Sequence, residues 1–91
     1  MTFEKNPDFL QLPAATVGDI VHLKHSDGFS YVVKAIVTRA SPDQIEATVQ
    51  GLFDSASHAR LVGSELMQLV GTTLTFPPED VHNLISRNGA A

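Results

Sequence analysis

Gln44-Ile45-Glu46-Ala47-Thr48-Val49-Gln50-Gly51-Leu52-Phe53-Asp54 decides the fold, because its apolar residues recur at every second position. Ile45, Ala47, Val49, Gly51 and Phe53 fall on one face, and Gln44, Glu46, Thr48 and Gln50 on the other. A helix returns to the same face only every ~3.6 residues, so this spacing predicts a β-strand with one face on a core and one in water. Gly51, inside the run, marks a bend or bulge where a small sheet begins to curl.

The flanking segments extend the pattern. Residues 29–39 hold Tyr31, Val32, Val33, Ile36, Val37 and Thr38, side chains that suit a pleated surface, and Ala40-Ser41-Pro42-Asp43 turns the chain into the strand above. Before them, Ile20–His25 sets Val21 and Leu23 against His22 and Lys24, and Ser26-Asp27-Gly28 reads as a hairpin turn. Beyond Asp54 the period breaks. Residues 55–63 are small and polar. Ser64 is placed to cap one short helix carrying Glu65, Leu66, Leu69 and Val70, and Gly71 stands where a helix ends. Residues 72–76 return to β. Pro77-Pro78 blocks further ladder pairing, Glu79-Asp80 makes a tight 3₁₀ turn, and Val81–Ile85 forms a last short strand.

At the other end, Asn6 is placed to cap a single turn, with Pro7 and Asp8 in its first positions and Phe9, Leu10 and Leu12 following before Pro13 stops it. One such turn cannot stand alone in water. It is expected to lie over an open edge or mouth of the sheet, helped by Phe3. The chain thus divides into an arm over residues 1–16, one small β-barrel domain over 17–85, and a flexible tail over 86–91.

The order of these strands resembles an SH3-like small β-barrel. Val17-Gly18-Asp19-Ile20-Val21 is similar to the Gly-Asp opening of Tudor and KOW barrels, and Phe76-Pro77-Pro78-Glu79-Asp80-Val81 resembles the 3₁₀ turn before the last strand of an SH3 domain. The resemblance covers residues 17–85 and implies a mainly β fold, a strongly bent five-stranded antiparallel barrel with one short helix between strands three and four. It carries over no functional residue. A polyproline groove or a methyl-cation cage needs clustered aromatics, whereas Phe29, Tyr31, Phe53 and Phe76 lie apart and no Trp occurs.

Composition narrows the function. With 91 residues, 43% hydrophobic and no cysteine, the chain holds one core and neither a disulfide framework nor a thiolate metal site. A cytoplasmic setting is the expectation. Ten acids against six bases give −4, a poor balance for general nucleic-acid binding. No phosphate-cradling glycine loop and no nucleophile elbow occurs, so neither cofactor nor catalytic centre is expected. His22 and His25 point to opposite faces of a strand, which prevents a shared metal. Asp80 and His82, two apart, are spaced to share a face.

A second candidate, a pocket, comprises His22, Glu46, Asp80 and His82. The leading candidate is an association patch of Leu61, Val62, Leu66, Met67, Leu69 and Val70, apolar residues in excess of one helical stripe. The expected function is a non-enzymatic binding or assembly module that associates with itself or another protein. Its rivals are a small-ligand binder or enzyme with a pocket between subunits and, third, a nucleic-acid module.

Overall fold

Period-two burial runs through the middle of the chain. In the computed structural model, which describes residues 3–25, 30–57, 59–60 and 65–85, five strands make one antiparallel sheet. They are β1 (Ile20–His25), β2 (Tyr31–Ala40), β3 (Ile45–Asp54), β4 (Thr73–Phe76) and β5 (Val81–Ile85), ordered β4-β3-β2-β1-β5. β4 and β5 are the two ends of this ladder, and no pairing joins them among the described residues, so the sheet is not closed. No described helix is long and apolar enough to cross a membrane.

The inner face carries the core. Val21 and Leu23 of β1 stand opposite Ala35 and Val33 of β2, which in turn oppose Val49 and Leu52 of β3, and all six are sealed from solvent. Ile45 and Ala47 oppose Phe76 and Leu74 of β4, while Leu84 and Val81 of β5 oppose Val21 and Leu23.

Three slips in register bend this sheet. Gln50 is passed over between Gly51, which pairs with Lys34, and Val49, which pairs with Ala35; Thr38 and His82 are the other two passed-over residues. A residue added to one strand locally increases twist. It also inverts the faces beyond it. Strict alternation puts Phe53 with Val49, but the slip at Gln50 turns Leu52 inward and leaves Phe53 outside, opposite Val32. The bend foreseen at Gly51 is present, and its effect on Phe53 is the reverse of the simple reading.

The entry turn follows from residue type. Gly18, with φ of 95°, takes the third position of a turn closed by Asp19 N–H donating to the Thr16 carbonyl at 3.0 Å. The buried Asp19 carboxylate accepts from both the N–H and the hydroxyl of Thr16, each at 2.9 Å. The Ser26–Gly28 turn lies outside the described residues.

Between β3 and β4 the expected helix is a 3₁₀ stretch, Glu65–Leu69, not an α-helix. Five residues give too few i→i−4 bonds to offset nucleation. Gly71, at φ of 90°, ends it, and Thr72 donates both its N–H and its hydroxyl to the Leu69 carbonyl, at 2.9 and 2.6 Å.

Residues 3–6 are part of the same packing. Phe3 is 6% exposed and meets Phe76 edge-to-face at 6.4 Å. Truncating a buried Phe removes its transfer energy and leaves a cavity, so Phe3→Ala is expected to cost about 3 kcal/mol. Val17→Ala, at an exposed position, should change stability by less than about 0.5 kcal/mol. Urea unfolding checks the pair, and equal small effects would place Phe3 outside the cooperative core.

Candidate functional site

The segment before β1 is fastened to the segment before β5. Asn6 N–H donates to the Glu79 carbonyl at 2.7 Å, and its side-chain amide donates to the Val81 carbonyl at 3.0 Å. His82 Nε2–H donates to the Glu4 carbonyl at 2.9 Å, and Glu4 N–H to the Lys24 carbonyl at 2.9 Å. Lys5 Nζ stands 2.7 Å from Oδ1 of the buried Asp80 and 3.8 Å from Glu79. No other donor reaches that oxygen among the described residues. The Asp80 hydrogen bond and charge hold the Lys5 ammonium above its ordinary value, against a smaller opposing effect of burial. Asp80 thus serves Lys5, and the imidazole of His82 is oriented by a backbone carbonyl instead.

Two grooves flank this clasp. The first, about 490 Å³, runs between the arm and the β2–β3 turn. Phe9, Leu10, Leu12, Pro42, Ile45 and Leu84 are among its walls, and among the described residues no ionisable side chain lines it. Leu12 and Ala15 pack onto the core, whereas Leu10 on the same arm is 83% exposed.

The second groove, about 570 Å³, crosses the outer face of the sheet. Register explains it. Lys24, Val32 and Phe53 stand in one row across β1, β2 and β3, and Asn83, His22, Lys34 and Gly51 in the next, across β5 to β3. Ile85, His82 and these side chains other than Gly51 line the groove. The Phe53 ring lies over Gly51, 3.5 Å from where a Cβ would be, with Arg60 Nε 3.9 Å from the same point. A further row sets Ile36, Ile20 and Ile85 side by side, with Ile20 only 6% exposed. The outer face is therefore not the uniformly solvated surface that alternation implies.

His22 is the electrostatic centre of that face. Leu84 N–H donates to Asn83 Oδ1 at 3.0 Å, which turns the Asn83 amide nitrogen toward His22 Nδ1, 3.4 Å away. A donor facing Nδ1 favours the unprotonated nitrogen. Burial first, and then the Lys34 charge, push the imidazole below its ordinary range.

The structure brings His22 and His82 into one groove but separates them from the other two candidate pocket residues. Glu46 stands opposite Arg39 at the far end of the sheet, near the Thr38 hydroxyl, and Asp80 is held by Lys5. Among the described residues no three of His, Asp and Glu gather as a metal site does. Of the association patch, Leu61, Val62 and the Leu66 side chain lie outside the described residues. Met67 is half-buried, and Leu69 and Val70 pack against the core. Lys24, Val32, Lys34, Phe53 and Ile85 were not singled out by sequence. The alternation of basic with apolar side chains in β1, and the single Lys34 within the apolar run of β2, were the available signals, but only the register shows that they meet.

The chain matches no family model, no curated protein and no solved structure.

Because folding lowers the pKa of His22, its neutral form contributes stability that is complete above the unfolded value of about 6.5 and lost as pH falls through the lower folded value. His22→Gln is therefore expected to lose less stability than the wild type between about pH 7 and 5 in urea titrations. Lys34→Gln should move the His22 ring titration upward by NMR. An unmoved titration would show that Lys34 does not act on it.

Proposed function

We propose that this chain is a non-enzymatic binding and assembly module of SH3-like barrel architecture, working in the cytoplasm and associating with a second copy of itself. One observation carries the reading: Leu10, 83% exposed, stands beside an apolar groove of about 490 Å³ that its own segment helps to build. The same short stretch supplies both a projecting side chain and a wall of the receiving groove. That is the self-complementarity a two-fold contact requires, since each copy must offer what the other accepts. Burying Leu10 in a partner's groove recovers about 2 kcal/mol per copy from apolar area alone. A small domain without disulfides gains more from such burial than a large one.

The strand order, the Gly18 turn and the Pro78–Asp80 3₁₀ turn before β5 support the SH3-like architecture. The absence of ionisable side chains among the described residues of the groove favours a contact made by shape and apolar area, with weak dependence on salt.

Sedimentation equilibrium tests the reading. The wild-type chain is expected to dimerise with a dissociation constant little changed by salt. Leu10→Asp should weaken the dimer by at least about tenfold while far-UV circular dichroism stays the same. A wild type that remains monomeric at high concentration overturns the proposal.

A further inference from the structure

We infer that the outer face of the sheet is a binding site for a small organic anion: one acidic head group carried on an apolar body. This site is independent of the self-association proposed above, because it lies on the other groove and uses different residues.

The inference rests first on charge placement. The chain has an excess of acids, yet the described lining of this groove is Lys24, Lys34, His22, His82 and Asn83 with Val32, Phe53 and Ile85, and contains no carboxylate. Neither Lys24 nor Lys34 has an ion pair with any described residue, whereas Lys5, near Asp80 and Glu79, is paired. Two ammonium groups from adjacent strands on one side of a sheet repel each other, and an anion between them removes that cost.

The second support is the order of the rows. The nitrogen-bearing row of Lys34, His22 and Asn83 runs between Phe53 and Val32 on one side and Ile85 on the other. An acidic head group on that row therefore has apolar surface beside it. The Phe53 ring, laid over Gly51 and outside the core, offers a flat contact.

Size decides between classes of ligand. A groove of about 570 Å³ falls in the range that encloses small molecules. A single-stranded nucleic acid needs a longer basic track with several stacking rings, and among the described residues Phe53 is the one Phe, Tyr or Trp lining this groove.

His22 adds a proton to the account. Lys34 faces it from β2 and Asn83 from β5, with His82 and Lys24 in the same groove. Burial first, and then the Lys34 charge, lower the imidazole's affinity for a proton in the empty site. A bound anion reverses that balance, so binding takes up a proton and tightens as pH falls.

Three probes with one aliphatic chain and different heads test this: octanoate, octanol and octylamine. By amide NMR titration, octanoate is expected to shift residues of β1, β2 and β5 around His22, Lys34 and Ile85, saturably. It should bind at least about tenfold more tightly than octanol, with octylamine weaker still. Its affinity should rise from about pH 7.5 to 6, and the His22→Gln variant should lose that dependence. The double variant Lys24→Gln, Lys34→Gln should lose about tenfold or more for octanoate while keeping its fold and its Leu10-dependent dimer.

Equal binding of octanoate and octanol would overturn the proposal, since apolar contact alone would then explain it. So would shifts confined to residues 9–15, or an oligothymidylate that binds this face and is not displaced by octanoate. Loss of the dimer in Leu10→Asp, with octanoate binding intact, is the expected separation of the two surfaces.

Discussion

A single sheet has no second layer to pack against, so it buries its apolar face only by bending over itself. That constraint governs the rest of this molecule. Val21, Leu23, Val33, Ala35, Val49 and Leu52 sit at the centre of the curve. The register slips at Gln50, Thr38 and His82 supply local twist that a regular ladder lacks. Phe3 and the arm then cover part of what the open sheet leaves exposed.

The same slips shape the outer surface. An extra residue changes which side every later residue faces, so the bend that builds the core also expels Phe53 from it. An aromatic ring is thereby set beside Lys24 and Lys34 on the outer face. Core and candidate site are two results of one irregularity. The electrostatics follow suit: the arm's own lysine is spent on Asp80, while Lys24 and Lys34 stand beside a histidine whose pKa burial lowers.

Much of the architecture was legible in the chain. Alternation in β1 and the first half of β3 assigned the inner residues, β-branched and aromatic content marked β2, and Gly18, Pro42 and Pro78 marked the turns. These signals are local, and local physics produces them. Phe53 was misplaced because a bulge is a decision between two strands and leaves no period in either one. The segment 65–69 was read as a helix because capping and spacing do not reveal that five residues cannot sustain one. The site was less legible than the fold. Lys24 and Lys34 are ten positions apart and meet only through register, and Leu10 acquires meaning only once Leu12 and Ala15 are seen to take the inward places.

The clasp of residues 3–6 on residues 79–82 has a temporal consequence. Two of its bonds span 75 and 78 positions, so the arm, held earlier only to β1 through Glu4 and Lys24, is not fully fastened until β5 has arrived. During synthesis residues 3–6 emerge before the strands they join, and Phe3 stays without its Phe76 neighbour until β4 has been made. Within that interval the groove beside Leu10 is unfinished too. Under the self-association proposed above, pairing through that groove would wait until each copy has folded, guarding a nascent chain against premature capture by its neighbours.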